Sequence, residues 1–282
     1  MPVPAMTMSA SSGGAGGVAH LHCVDADAPG AAAAIADIAE EVPVGFVYNG
    51  FAHAVMMATP GDLEDFAVGF SLAEGLIDDL GDVRTASARA SQEGIELAIE
   101  LAPEAFARFL QRRRVRSLRG HTSCGICGIE EMAQLALRSP RAPANGPCVA
   151  VDPDAVRRAV AVLRDFQPLG RITRCAHAAA WTDSDGRLAL VREDVGRHNA
   201  LDKLVGACLR GGVDTRCGFC LVTSRCSFEM VQKAIAARFP AIVAISAPTA
   251  LAIRTARAAG LTLIALDRDR RPVSYNGPAE AP

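Results

Sequence analysis

The sequence predicts an α/β fold built on a buried, largely parallel sheet, and three observations carry that expectation. From Leu188 onward, short apolar runs alternate with amphipathic stretches, the pattern of repeated βαβ units. Half of the 282 residues are hydrophobic but only 5% are aromatic, so a large core must be packed from Ala, Val, Leu and Ile. Asn49-Gly50, set between two apolar runs, marks a β-hairpin ahead of that core.

Residues 1–40 are rich in Ala, Gly and Ser and read as a disordered tail, followed by one domain over 41–282. Within that domain, 41–147 forms an N-terminal part and 148–282 the α/β core. Val42–Tyr48 and Phe51–Ala58 are the hairpin strands. Thr59-Pro60-Gly61-Asp62 then supplies a helix N-cap, a first-position proline and an acidic first turn. Leu63, Phe66, Ala67, Phe70 and Ile77 follow at helical spacing. Ile95, Leu97, Ile99 and Leu101 alternate with Glu96, Ala98 and Glu100, as in a strand with one wet face.

A helix is predicted over 104–114, a glycine-rich cysteine loop follows, and 129–137 is helical again. Three prolines and a glycine within 139–147 mark a linker. Asp152-Pro153 opens a helix that would bury Val156, Val160 and Leu163. Strands near 188–192, 219–223, 241–246 and 262–266 then alternate with helices at 198–210, 228–238 and 249–259, the last ending at Gly260.

A formal net charge of −2 gives no global attraction for nucleic acid or an anionic membrane. No apolar run approaches the roughly 18 residues of a membrane span, and no basic-then-apolar leader opens the chain. Nine cysteines, an odd number in a chain this long, point to a reducing cytoplasm rather than a disulfide scaffold.

Two thiols stand out in Gly120-His-Thr-Ser-Cys124-Gly-Ile-Cys127-Gly128. Cys124 and Cys127 follow Arg112, Arg113, Arg114, Arg116 and Arg119. Nearby positive charge lowers a thiol's pKa, and the thiolate is the nucleophile. The glycines disfavour helix and strand, so the pair is expected on a mobile, accessible loop. Reactive sulfur chemistry is the first reading; a fortuitous pair or half of a structural zinc site are the alternatives. Cys217-Gly-Phe-Cys220 repeats the spacing but runs into Leu221-Val222-Thr223, which places Cys220 on a buried, inert strand. If the two pairs met, four thiolates could hold zinc, although about ninety residues separate them. Cys23, Cys148, Cys175, Cys208 and Cys226 show no ligand spacing. A zinc deaminase is disfavoured because no His-x-Glu is paired with Pro-Cys-x-x-Cys.

Arg192 to Lys203 concentrates polar groups between a strand end and a helix start, where open α/β sheets bind ligands and free N–H groups favour anions. Arg197, His198 and Lys203 could meet phosphate there, and Asp194 or Asn199 a base or ribose; capping and a satisfied polar network is the alternative. His177, beside Ala178, Ala179 and Ala180, reads by itself as a core histidine. Ser246-Ala-Pro-Thr249 reads as a cap.

Several blocks in order resemble the FdhD family, the formate dehydrogenase accessory sulfurtransferases. They are Glu41-Val-Pro-Val44 with Tyr48-Asn-Gly50, Met56-Met-Ala-Thr-Pro60 with Leu63-Glu-Asp-Phe66, and Cys124-Gly-Ile-Cys-Gly128. His177-Ala-Ala-Ala180, Glu193-Asp-Val-Gly-Arg-His-Asn-Ala-Leu-Asp-Lys203, Glu229-Met-Val-Gln-Lys233 and Ser246-Ala-Pro-Thr-Ala250 complete the set. The resemblance implies a cytidine-deaminase-like three-layer core without the deaminase zinc, and a homodimer. It also implies a sulfur carrier that takes sulfur from a cysteine desulfurase. The recipient would be the molybdenum bis(molybdopterin guanine dinucleotide) cofactor, before its insertion into formate dehydrogenase. On that analogy Cys124 bears the persulfide, Cys127 assists or resolves it, and the cofactor meets Leu266, Asp267, Arg268, Asp269, Arg270 and Arg271. Arg197, His198 and Asn199 join that site from the polar block. This chain reads Ala265-Leu-Asp-Arg268 where family members carry Gly-Phe-x-Arg. The alternative from another class is a cofactor-binding chaperone whose CxxC is structural, holding zinc, or redox-active.

Overall fold

The structure, a computed structural model, describes residues 17–23, 27, 34–117 and 150–276. Cys124 and Cys127, the helix expected at 129–137 and the linker at 139–147 lie outside the described residues.

Two sheets face each other across a pair of helices. The first sheet has four strands in the order β4-β3-β6-β5. Here β3 is Val42–Tyr48, β4 Phe51–Ala58, β5 Val83–Ser91 and β6 Gly94–Leu101. The hairpin forms where the sequence puts it, with Asn49 and Gly50 both at positive φ, 46° and 81°. Alternation along β6 also holds, with Leu97, Ile99 and Leu101 buried. β5, rich in Ala, Ser and Arg, carried no legible strand signal; it forms because it pairs antiparallel with β6. Helix α1, Leu63–Ala73, lays Phe66 and Phe70 beside Phe46 of this sheet, the three rings meeting within 4.2–6.3 Å. Helix α2 spans Pro103–Ser117.

The second sheet has six strands in the order β12-β11-β10-β9-β7-β8. They are β7 His177–Asp183, β8 Leu188–Asp194, β9 Gly218–Val222, β10 Ala241–Ala244, β11 Thr262–Leu266 and β12 Pro272–Ser274. Helix α3, Pro153–Val162, covers one face, packing Ala155, Val156 and Ala159 against Phe219, Leu221, Val243 and Ile264. The short helix α4, Pro168–Thr173, follows, and helices α5 (Arg197–Arg210), α6 (Phe228–Ala236) and α7 (Ala250–Ala258) cover the other face. The expected parallel run is β9-β10-β11. The sheet is more mixed than predicted, because β7 inserts antiparallel between β8 and β9. Its sequence, His-Ala-Ala-Ala-Trp-Thr-Asp, lacks the β-branched run that would announce a strand.

The tail reading of residues 1–40 needs correction. β1, Val18–Cys23, and β2, Ala34–Ala39, pair as an antiparallel ribbon, and Glu40 donates its amide to the Gly17 carbonyl at 2.7 Å. Four alanines across these strands blur the apolar–polar alternation, so the sequence concealed the ribbon. The cap reading of Thr59 is also corrected: α1 starts after Asp62, a left-handed residue whose side chain makes no cap bond.

The two sheets are joined where α1 crosses α5. Gly69 and Gly206 let the backbones touch: a methyl on Gly69 would collide with the Asp202 carbonyl, and one on Gly206 with the Asp65 carbonyl. Asp65, buried in the first turn of α1, accepts from Arg192 of β8 at 2.8 Å and from Arg210 at the end of α5. A Gly206→Ala variant is therefore expected to lose about 3 kcal/mol or more of stability, read by denaturant unfolding, because the clash is with backbone on both sides.

Candidate functional site

The carboxyl ends of β9, β10 and β11 share one edge of the six-stranded sheet with the start of β7 and the end of β8, where His177 pairs with Asp194. The chain turns there into α5 at Gly196, into α6 at Ser227 and into α7 at Thr249, whose hydroxyl accepts from the Ala252 amide at 3.2 Å. Three helix N-termini thus border one edge, as the βαβ pattern anticipates.

A buried strut holds this edge. Asp194 and Lys203 are fully buried and lie 2.7 Å apart. The Asp194 carboxylate also accepts from the amides of Gly196 (2.8 Å) and Thr59 (3.0 Å) and from Asn199 Nδ2 (3.0 Å). Lys203 donates to the Thr59 carbonyl at 2.8 Å, and its ammonium sits 5.7 Å from the centre of the Phe66 ring. The Thr59 hydroxyl accepts from the Val195 amide at 3.2 Å. Four of the polar groups read from sequence are relocated by this network. Lys203 and Asp194 are inaccessible to a ligand, Asn199 uses Nδ2 on Asp194 and on the Met57 carbonyl, and Thr59 is a bolt rather than a cap.

Arg197, His198 and His177 remain at the surface of the edge. His177 is half-buried at the start of β7, not in the core. Burial first, and then the positive charges of Arg197 and His198, hold it below the ordinary histidine value of 6.5. His198 Nε2 lies 2.8 Å from Glu229 Oε2, and this bond draws the Glu229 carboxyl below its usual range. One turn further along both helices, Lys233 donates to both oxygens of buried Asp202 at 2.8 Å. The two pairs form rungs between α5 and α6 and fix the His198 ring. Glu229 and Lys233 carried no assigned role in the sequence; their i, i+4 spacing opposite His198 and Asp202 was the available signal.

Leu266 to Arg271 forms the tight connection from β11 to β12 on the same edge. Leu266 is buried in the strand. Asp267 accepts from the amides of Asp269 (2.9 Å) and Arg271 (2.8 Å) and from Arg271 Nε (3.0 Å). Arg271 also bonds Asp269, so it closes the turn, whereas Arg268 and Arg270 point no charge at an acid among the described residues. Four strand spacings, about 19 Å, separate this turn from the Arg197 corner. The structure thus brings Arg197 and His198 together and puts the 266–271 turn at the far end of one edge.

The described thiols divide cleanly. Cys208, Cys220 and Cys226 are buried in one apolar cluster; burial pushes Cys208 and Cys226 up to about 12 and Cys220 well above its ordinary value. Cys220 is inert, as its strand position predicts, and Cys217 is exposed three residues earlier, so this CxxC is no chelating pair. The arginine run is also redirected. Arg112 donates to the Glu74 and Gly75 carbonyls after α1, and Arg113 donates to the Ala52 carbonyl and lies over Phe51. Two of the five guanidiniums expected to acidify Cys124 are therefore engaged by backbone carbonyls, one in the turn after α1 and one on β4.

A sequence model of the FdhD/NarQ family matches residues 39–281. The chain belongs to this family. It is 51% identical over 241 residues to the sulfur carrier protein FdhD of Xanthomonas euvesicatoria pv. vesicatoria (strain 85-10), covering 86% of this chain and 84% of that relative. The protein of the same name from Variovorax paradoxus (strain S110) is 48% identical over 86% of this chain and 85% of its own length. The fold matches that of a crystal structure from Desulfotalea psychrophila described as a candidate formate dehydrogenase accessory protein. The TM-score is 0.67 and the identity 23%, covering 93% of this chain and 97% of that one. No helix among the described residues is long and apolar enough to cross a membrane. In this FdhD/NarQ chain, β1 and most of β2 precede the matched residues.

Two predictions follow from the edge. Lys203→Met leaves Asp194 buried without its counter-charge and is expected to cost about 3–5 kcal/mol in denaturant unfolding, less when Asp194→Asn accompanies it. His177 should titrate below 6.5 by NMR, and Arg197→Ala should raise its value. Above 6.5 the ring is neutral in both folded and unfolded chains. As the pH falls through 6.5 the unfolded chain takes the proton first, so His177 lowers stability on the acid side.

Proposed function

We propose that this chain is a sulfur carrier that serves formate dehydrogenase maturation and acts through a persulfide on Cys124. The observation that carries the reading is 51% identity over 241 residues to proteins named as sulfur carriers, in a chain holding Cys124-Gly-Ile-Cys127. The Cys124 thiolate attacks the outer sulfur of a cysteine desulfurase persulfide. The desulfurase cysteine leaves as thiolate, and Cys124 keeps the transferred sulfur. Cys127 then attacks Cys124, releasing hydrosulfide toward the molybdenum bis(molybdopterin guanine dinucleotide) substrate and leaving a Cys124–Cys127 disulfide that a cellular thiol reduces. The cytidine-deaminase-like core acts as a homodimer in the cytoplasm and hands the loaded cofactor to formate dehydrogenase.

The second half of this reading draws support from the sheet edge. The helix start at Arg197 and His198 offers free N–H groups and a guanidinium to phosphate, and Arg268 and Arg270 do the same at the far end. These groups suit the two nucleotide ends of the cofactor, which the protein binds as cargo.

Mass spectrometry after incubation with a desulfurase and cysteine tests the carrier. A gain of one sulfur atom on Cys124 is expected. Cys124→Ser should abolish loading and client activation with the fold intact, while Cys220→Ser should load normally. Wild-type client activation by Cys124→Ser would instead favour a chaperone that binds the cofactor and carries no sulfur.

A further inference from the structure

A run of exposed apolar side chains lies outside the site described above. Helix α3 is followed by a 3-10 turn, Leu163–Phe166, and then by α4. Along these consecutive elements Val162, Phe166 and Ile172 keep 40%, 49% and 50% of their surface exposed. Val162 and Phe166 also line an open pit of about 760 Å³, together with Ala161, Leu188 and Arg158. Large apolar side chains grouped on one exposed surface mark a contact site for another molecule. The pit sits beside Leu188, at the opposite end of β8 from Asp194 and so about 20 Å from the carboxyl edge.

The surface is braced at both ends, so it loses little freedom when it is covered. Arg158 Nε donates to the Asp185 carbonyl at 2.8 Å, and Gly186 lies so close to Ala155 that a methyl there would collide with the Ala155 carbonyl. Glu193 holds the other end by accepting from the Leu169 and Gly170 amides at 2.9 and 2.8 Å. Its charge is unbalanced. From Val160 to Arg174 three arginines, Arg164, Arg171 and Arg174, stand against one acid, Asp165. All three are exposed and form no ion pair among the described residues. The acids that flank the pit are committed elsewhere: Asp152 to Arg158, Asp154 to Arg157, and Asp183 to the amides of Asp185 and Arg187. Asp185 holds Arg187 only loosely, at 3.8 Å. An apolar strip flanked by uncommitted arginines fits a segment that is apolar on one side and acidic beside it.

We infer that this strip docks the sulfur donor, through a segment of the desulfurase that sets apolar side chains on Val162, Phe166 and Ile172 and acidic ones on the arginines. This role rests on the proposed sulfur-carrier function and goes beyond it by placing the donor on a named surface. The proposed cycle has two protein partners. The dehydrogenase takes the cofactor and so meets the carboxyl edge. The strip begins at the other end of β8 and stays open to the donor while that edge is occupied. Helix α3 is also the first described element after the Cys124–Cys127 pair in the chain.

The test loads the full chain from two donors and follows sulfur on Cys124 by mass spectrometry. One donor is a cysteine desulfurase with cysteine. The other is glutathione persulfide, whose outer sulfur passes to the Cys124 thiolate while glutathione leaves as thiolate, with no protein docking. Phe166→Ser combined with Ile172→Ser should slow desulfurase loading about tenfold at subsaturating donor, the effect of losing an interface anchor. Loading from glutathione persulfide, melting temperature and solution mass should stay unchanged. Arg164→Glu combined with Arg171→Glu should slow desulfurase loading similarly, and added salt should slow wild-type loading from the desulfurase more than from glutathione persulfide. An unchanged desulfurase rate in both variants overturns the inference. So does an equal loss from both donors, or a halved solution mass, which would make the strip an interface between copies of this chain. Failure of the wild type to take sulfur from either donor would sink the carrier reading itself, whereas loading from glutathione persulfide alone would keep the carrier and remove the desulfurase from the strip.

Discussion

The buried Asp194–Lys203 pair is the constraint on which the arrangement depends. Two opposite charges without solvent are tolerable only when their remaining hydrogen-bonding capacity is filled, and here both ends of the pair turn to Thr59. Thr59 directly follows β4 of one sheet; Asp194 ends β8 of the other; Lys203 lies in the helix between them. The pair therefore fixes the relative position of both sheets at the place where the α5 N-terminus opens toward solvent. An apolar substitute of similar volume would fill the space but would not hold the Thr59 backbone in register with the Val195 amide.

The α1–α5 crossing extends that constraint over the whole length of both helices. Glycines at 69 and 206 allow backbone contact, and Asp65 then meets Arg192 and Arg210 across the joint. Rigidity of α5 propagates to α6 through the His198–Glu229 and Asp202–Lys233 rungs. Arg197 and His198 consequently project from a braced helix start, the condition under which donors bind an anion with little loss of freedom.

Charge at the edge is organised by exclusion. Carboxylates near it are engaged by buried or neighbouring cations, or by backbone amides in the case of Glu193, so Arg197, Arg268 and Arg270 form no ion pair among the described residues. The described cysteines follow a similar division. Burial makes Cys208, Cys220 and Cys226 poor nucleophiles and leaves chemistry to thiols in polar surroundings.

The sequence by itself determined the α/β class, the Asn49-Gly50 hairpin, the alternation from Leu188 onward, the inertness of Cys220 and the family. These features depend on local periodicity, turn chemistry or short motifs, which a chain displays without its neighbours. Tertiary structure alone decided the rest. β5 and β7 form through pairing partners, since their own residues show weak strand preference. Lys203 and Asn199 looked like ligand groups because their polarity is visible in sequence while their burial is not. Thr59 looked like a helix cap because its true partners, Asp194, Val195 and Lys203, lie more than 130 residues away. Arg112 and Arg113 looked uncommitted for the same reason: their carbonyl partners at Glu74, Gly75 and Ala52 are distant in sequence, and only the fold sets where a guanidinium bonds.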